Sequence, residues 1–222
     1  MTPLFIADPK ILAIPIAENN ERLFDLRSQN IIKFGPSPEI PNNTEYTKMR
    51  QSVYNKLVEA QSILPDGLKF CLYEALRSIS LQEKLFTERY SKVKNSNPTW
   101  NEHELFLETT RLVSPVINAD GSSNVPAHST GGAVDVYLID AKDQVIDMGI
   151  RTEDWMQDLD GSLSVTNSTK ISIEAQENRK IMNAVLSKVG FVNYATEYWH
   201  WSYGDRYWAY YKDEPYALYG SV

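Results

Sequence analysis

The chain has 222 residues, of which 42% are hydrophobic and 23% are charged, and its formal net charge is −7. This length and composition are typical of one globular domain with a substantial core, and they exclude a fibrous, repetitive or disordered chain. The negative charge argues against a nucleic-acid partner, because such binding depends on lysine and arginine side chains that neutralise phosphates.

The N-terminal part of the chain, residues 1–42, is rich in proline and shows no clear periodicity. We expect it to form an irregular wrap around a single domain that spans residues 1–222. It lacks the basic stretch that opens a secretory signal, and the sequence has no uninterrupted run of about 18 apolar residues. These features predict a cytoplasmic protein without a membrane partner, and they leave a periplasmic location open.

The remaining sequence mixes helical and strand patterns without regular alternation, which predicts the α+β class with a central antiparallel sheet flanked by helices. The predicted helices run from the Asn42-Asn43 cap to about Leu64, over residues 79–94, over residues 99–112 behind a Thr99–Glu102 capping box, and over residues 173–189 before Gly190. The predicted strands cover residues 68–76 and 133–139, followed by an aromatic strand region over 191–208. Residues 116–132 and 151–170 are predicted to be loops.

Two residues with reactive side chains are predicted to have no chemical role. Cys71 is the single cysteine, so no intrachain disulfide is possible, and its alternating apolar surroundings indicate a buried thiol rather than a nucleophile. His103 lies among charged residues in a predicted helix and is expected to be solvated.

The segment from His128 to Asp135 carries the first candidate site. Seven extended residues would span about 23 Å, which is too far for two ligands of one metal ion. Gly131 and Gly132 would let the backbone fold back so that both side chains meet. Strand alternation then places Asp135 on the face opposite the predicted core. A glycine turn before a strand whose aspartate forms a salt bridge remains the alternative.

The second candidate is Glu197, three residues before His200. A carboxylate beside a metal-bound histidine is what a zinc hydrolase uses to take a proton from water. Because an offset of three points to opposite faces of a regular strand, we expect a bulge or bend here. A histidine hydrogen-bonded within an aromatic core strand remains the alternative.

Together, His128, Asp135 and His200 would form a zinc site with three protein ligands and an open fourth position, the arrangement of catalytic rather than structural zinc. A serine–histidine–aspartate hydrolase is disfavoured, because the sequence has no Gly-x-Ser-x-Gly elbow.

These motifs resemble the zinc D-alanyl-D-alanine dipeptidases, the VanX-like family, which is related to D,D-carboxypeptidases, phage endolysins and hedgehog-type domains. The resemblance rests on His128-x6-Asp135 with Gly131 and on Glu197-x-Trp199-His200. It extends to Tyr73-Glu74-Ala75-Leu76-Arg77-Ser78 and to Asp147-Met148-Gly149, so it covers most of the chain.

The resemblance implies one zinc ion per chain, held by His128, Asp135 and His200, with Glu197 as the catalytic base. It implies that Arg77 stabilises the oxyanion, which strand alternation supports by placing Arg77 on one face with Cys71 and Tyr73.

The resemblance further implies that Glu153 or Asp154 binds the free amine of a small peptide substrate. The family usually has a serine two residues before the first metal ligand, which the resemblance implies helps to hold the substrate carboxylate. That position is Pro126 in this chain, which offers no hydroxyl and no backbone N–H.

Two other functions stay open at this point. One is a D,D- or L,D-carboxypeptidase or endolysin that acts on longer peptidoglycan peptides. The other is a non-catalytic zinc-binding interaction domain, against which the presence of both Glu197 and Arg77 argues.

Overall fold

A five-stranded mixed sheet forms the centre of the structure, a computed structural model that describes residues 4–222. In chain order, the strands are β1 (Leu23–Asp25), β2 (Lys33–Phe34), β3 (Lys48–Arg50), β4 (Lys69–Glu74), β5 (Ala133–Ile139), β6 (Val192–Asn193) and β7 (His200–Ser202). The central sheet has the order β2-β4-β5-β7-β6, in which the β2–β4 pair is parallel and the other pairs are antiparallel. Strands β1 and β3 form a separate antiparallel pair.

Helices surround this sheet, as the sequence predicts for the α+β class. They are α1 (Pro9–Leu12), α2 (Gln51–Ser62), α3 (Ile79–Ser96), α4 (Glu102–Thr109), α5 (Ile173–Lys188) and α6 (Arg206–Tyr211). Short 3-10 helices occur at Leu26–Ser28, Glu45–Thr47, Ala127–Thr130 and Thr152–Gln157. The α+β class is therefore confirmed. No helix within residues 4–222 is long and apolar enough to cross a lipid bilayer.

Strand β5 separates the core from the side of the sheet that carries polar groups. Val134, Val136 and Leu138 are fully buried in the main hydrophobic cluster. Asp135 and Tyr137 alternate with them and point to the opposite face, where each lines a surface depression. The alternation predicted from the sequence is confirmed, and it explains how a charged residue can occupy the middle of an apolar strand.

The N-terminal third contains more regular structure than the sequence suggests. The predicted helix after Asn43 begins only at Gln51, because Tyr46 and Met49 are buried by a 3-10 helix and by β3 instead. Within the predicted wrap, β2 extends the central sheet by pairing with Cys71 and Leu72 of β4. Residues 1–3 of that wrap lie outside the described residues.

Two further boundaries differ from prediction. The capping box of α4 is formed by Asn101 and Glu104, which satisfy each other's backbone N–H groups, rather than by Thr99 and Glu102. The aromatic region after Gly190 contains two short strands and then α6, which is capped by Asp205 through the backbone N–H of Trp208 at 2.8 Å. Aromatic side chains favour strands by propensity, and tertiary packing overrides that preference here.

Because Leu138 is fully buried in the main cluster, the Leu138→Ala variant should lower the free energy of unfolding by about 2–5 kcal/mol. Val145→Ala provides a control, since Val145 is 46% exposed and its truncation should change stability by about 0.5 kcal/mol or less. Urea denaturation measures both values. Equal stabilities for the two variants would contradict the packing described for β5.

Candidate active site

Three side chains meet at one point above the sheet. Their ligand atoms, from His128, Asp135 and His200, all lie within 4.8 Å of one another. The His128 Nε2 atom is 3.1 Å from His200 Nδ1. The Asp135 Oδ1 atom is 3.3 Å from His128 Nε2 and 3.1 Å from His200 Nδ1. All three residues are buried.

Sheet register and a glycine turn bring this group together. Asp135 on β5 lies directly opposite His200 on β7, so their side chains are neighbours on one face of the sheet. His128 reaches them from the 3-10 helix Ala127–Thr130, which ends at Gly131 with a φ of +70°. A Cβ atom at Gly132 would come within 2.6 Å of the Tyr203 carbonyl oxygen. The predicted fold-back through both glycines is thus present.

Hydrogen bonds on the outer side of each ring orient the two histidines. His128 Nδ1 lies 2.7 Å from the carbonyl oxygen of Ala75, which can only accept a hydrogen bond, so Nδ1 carries the proton. His200 Nε2 lies 3.4 Å from Ser202 Oγ. The proton on His128 Nδ1 leaves a lone pair on its Nε2, directed toward the common point, and His200 turns its Nδ1 toward the same point. This is the arrangement of metal-binding histidines.

The charges at this point fit a cation. Asp135 Oδ1 is buried and receives no hydrogen bond from the described residues. Burial alone would raise the pKa of Asp135, but positive charge on the side of His128 and His200 lowers it below its usual value. Two imidazole nitrogens and one carboxylate oxygen are the ligand types of catalytic zinc. The three residues therefore fit one zinc ion.

Glu197 lies beside this group without belonging to it. Its Oε2 atom is 3.9 Å from His200 Nδ1 and accepts a hydrogen bond from Trp199 Nε1 at 3.1 Å. A turn before β7, closed by the His200 N–H donating to the Glu197 carbonyl at 3.2 Å, provides the bend expected from the sequence. Burial, followed by the negative charge of Asp135, raises the pKa of Glu197 well above its ordinary value. A carboxyl with a raised pKa is suited to take up and release a proton.

Arg77 lines the same cleft, although not for the reason given by strand alternation. The β4–β5 register shifts between Leu72 and Glu74, so this bulge breaks the regular alternation that was expected to carry through to Arg77. Despite this bulge, Tyr73 and Arg77 both line the cleft.

The Arg77 guanidinium is held in place by two buried side chains. Its Nε atom donates to Glu74 Oε2 at 3.0 Å, its Nη2 atom donates to the same oxygen, and its Nη1 atom donates to Gln82 Oε1 at 3.0 Å. Burial alone would lower the pKa of Arg77, but the neighbouring Glu74 and Asp135 carboxylates outweigh burial and raise it. Sequence analysis did not identify Glu74 and Gln82. A glutamate within an apolar strand, as Glu74 is, was the available signal.

The structure does not bring Glu153 and Asp154 to this cleft. They lie on the 3-10 helix Thr152–Gln157, where Glu153 pairs with Arg151 at 3.2 Å and Asp154 accepts a hydrogen bond from Gln157 at 2.8 Å. Both line a separate, more open depression. Trp155, the next residue along the chain, takes the buried side and lines the cleft. The substrate contact predicted for Glu153 or Asp154 stays a prediction, and in this structure neither residue lines the cleft that holds the metal-binding group.

Glu39 is a carboxylate that the sequence analysis missed. It lies half-buried in the loop after β2. The Gly35 N–H donates to the Leu72 carbonyl at 3.0 Å and holds the start of this loop against β4. Burial, then the charge of Glu74, raises the pKa of this carboxyl, while the charge of Arg77 and a hydrogen bond from Trp155 lower it. The sequence of this loop, which contains three prolines, gave no sign that Glu39 has a functional role.

The two residues expected to be inactive stay outside the site. His103 is exposed on α4, and the Cys71 thiol is buried in β4.

A buried group of two histidines and one carboxylate, with a glutamate and an arginine on the same cleft, defines a metal-dependent hydrolase. Residues 42–218 match the family described as D-ala-D-ala dipeptidase, so the chain belongs to that family. The protein is therefore a metallopeptidase, as the sequence motifs predict.

Two curated relatives carry the same family description. The D-alanyl-D-alanine dipeptidase of Synechocystis sp. is 24% identical over 220 residues, covering 89% of this chain and 88% of the relative. The D-alanyl-D-alanine dipeptidase of Escherichia coli is 32% identical over 73 residues, covering 33% of this chain and 35% of the relative.

Similar solved structures include VanYB in complex with D-alanine-D-alanine, at 12% identity and a TM-score of 0.47, with 92% of this chain and 93% of that chain covered. The LdcB LD-carboxypeptidase is also similar, at 16% identity and a TM-score of 0.41, with 92% of this chain and 82% of that chain covered.

If His128 and His200 hold the metal, His128→Ala and His200→Ala should each lose the zinc that the wild-type protein binds at about one ion per chain. Elemental analysis after dialysis measures the zinc content. His103→Ala is the matched control, because His103 is exposed on α4, and it should keep its zinc. Full zinc retention in both cleft variants would contradict the ligand assignment.

Proposed function

We propose that this metallopeptidase hydrolyses the dipeptide D-alanyl-D-alanine. The observation that carries the proposal is the convergence of the His128–Asp135–His200 group with Glu197 and Arg77 on one cleft. Membership of the D-ala-D-ala dipeptidase family supports this substrate.

Each residue has a role that follows from its position. A bound zinc ion would acidify water and polarise the substrate carbonyl. Glu197 takes a proton from the attacking water and delivers it to the leaving amine as the carbon–nitrogen bond breaks. Arg77 donates hydrogen bonds to the negative charge that develops on the carbonyl oxygen. Glu74 and Gln82 fix its guanidinium in advance, so little reorganisation is needed during the reaction.

The walls of the cleft favour a small substrate. Ile6 lines the cleft, and its backbone N–H donates to the Tyr194 hydroxyl at 3.2 Å, which fixes the N-terminal segment against this wall. Trp155 contributes another buried apolar surface. A short peptide with small side chains fits such a site better than an extended peptidoglycan strand.

A dipeptidase must also recognise the free amine of its substrate, and we assign this contact to Glu39. Its carboxyl lies in the field of Arg77 and accepts a hydrogen bond from Trp155, two residues that line the cleft. Because Arg77 is already paired with Glu74, a substrate ammonium group would give the half-buried Glu39 carboxyl a cationic partner and form a charge-assisted hydrogen bond with it.

The function can be tested with a released-amine assay over D,D-, L,D- and L,L-dipeptides, with Glu197→Ala as the inactive form. Wild-type protein should prefer D-alanyl-D-alanine. Glu197→Ala should keep its zinc but lose activity by about a hundredfold or more, because the proton acceptor is gone. Glu177→Ala, on the exposed surface of α5, should remain fully active. Near-normal turnover by Glu197→Ala would remove this residue from the mechanism.

Acetylation of the substrate amine should reduce kcat/KM by about tenfold to a hundredfold in the wild-type protein, because one charge-assisted contact is lost. Glu39→Gln should abolish this difference between free and acetylated dipeptide. Glu153→Gln is the matched control, since Glu153 pairs with Arg151 outside the cleft, and it should keep the difference.

Two results would redirect the assignment. Loss of the difference in Glu153→Gln alone would return the amine contact to Glu153. Equal cleavage of acetylated and free dipeptides by the wild-type protein would favour a carboxypeptidase that acts on longer peptides.

A further inference from the structure

The carboxylate end of a dipeptide also needs a hydrogen-bond donor, and most donors in the cleft already have an acceptor within the protein. Arg77 is held by Glu74 and Gln82. Gln82 in turn donates through Nε2 to the carbonyl oxygen of Ser114 at 2.7 Å. These groups form one connected network, and the proposed mechanism assigns the remaining Arg77 N–H groups to the reacting carbonyl.

Two aromatic donors are engaged in the same way. The Tyr194 hydroxyl donates to the carbonyl oxygen of Thr110 at 3.2 Å. The Trp199 indole donates to Glu197 at 3.1 Å. Neither hydrogen is available to a bound carboxylate.

The hydroxyl of Tyr73 lies in an unfavourable field for an anion. Burial, and then the carboxylates of Glu39, Glu74 and Asp135, raise the pKa of this hydroxyl, whereas the single charge of Arg77 lowers it. A carboxylate placed there would be repelled by like charges. The same field attracts an ammonium group, so this side of the cleft suits the substrate amine.

Ser114 differs from all of these donors. It lines the cleft and is 9% exposed. Its Oγ atom accepts a hydrogen bond from Asn124 Nδ2 at 3.0 Å, and the same amide nitrogen donates to the carbonyl of Pro115 at 2.8 Å. Asn124 is therefore fixed as the donor, which leaves the hydroxyl hydrogen of Ser114 free to donate elsewhere.

We propose that the Ser114 hydroxyl binds the free carboxylate of the dipeptide substrate, with Asn124 as the residue that orients it. Pro126 lines the same cleft but has neither a side-chain donor nor a backbone N–H. Ser114 supplies the donor that Pro126 lacks. This inference rests on the proposed dipeptidase function and assigns the second end of the same substrate.

The Ser114→Ala holoenzyme tests this assignment with two substrates, D-alanyl-D-alanine and its C-terminal amide. The variant should lose about tenfold to a hundredfold in kcat/KM toward the free acid, because a hydrogen bond to a charged group is lost. Its activity toward the amide and its zinc content should change little. The amide thus controls for folding, since a misfolded variant would lose both activities.

Two further variants sharpen the result. Ser168→Ala is the matched control, because Ser168 is a buried serine whose hydroxyl donates to the Ser162 carbonyl at 2.7 Å, outside the cleft, and it should behave as wild type. Adding Pro126→Ser to Ser114→Ala places a hydroxyl in the same cleft and should restore preference for the free acid.

Equal losses toward acid and amide, or no loss toward either, would overturn the role of Ser114 while leaving the dipeptidase function intact. A wild-type protein that cleaves no dipeptide would overturn the function and this inference together.

Discussion

Asp135 and His200 lie directly opposite each other in the register of β5 and β7, and the site depends on this pairing. A shift of one residue in either strand would turn one of the two side chains into the core. The apolar residues on the other face of β5 prevent such a shift, because they are fully buried in the main cluster. Core packing therefore fixes the distance between two of the three metal-binding groups before any metal is present.

The charge around this pair explains why a cation belongs there. Asp135, Glu197 and Glu74 are all buried, while Arg77 is the buried cation that faces them. Glu74 already forms an ion pair with Arg77. The remaining carboxyls would be left without a balancing charge, and uncompensated buried charge is strongly destabilising. The raised pKa of Glu197 is one response of the protein to this imbalance, and a bound divalent cation is another.

The centre of the site could be predicted from the sequence because its parts are encoded locally. The glycine pair between His128 and Asp135 indicates a fold-back, and the spacing of Glu197 and His200 indicates a bend. The structure contains both features. The α+β class could be predicted in the same way, from patterns that each extend over a few residues.

The flanks of the cleft could not be predicted, because they depend on contacts between distant segments. The loop that carries Glu39 is placed by a hydrogen bond between Gly35 and Leu72. The rotation of the 3-10 helix that buries Trp155 and exposes Glu153 depends on core packing that sequence spacing does not specify.

The sheet and the loops around it have different roles in the enzyme. The residues assigned to zinc are held mainly by the sheet and by the turn that leads into it, whereas the groups assigned to the substrate termini lie in loops outside the sheet. Loops tolerate changes that a packed sheet does not. Substrate-binding groups can therefore change position without disturbing the metal geometry. The proposed amine contact at Glu39 rather than Glu153, and the proposed carboxylate contact at Ser114 rather than residue 126, follow this division.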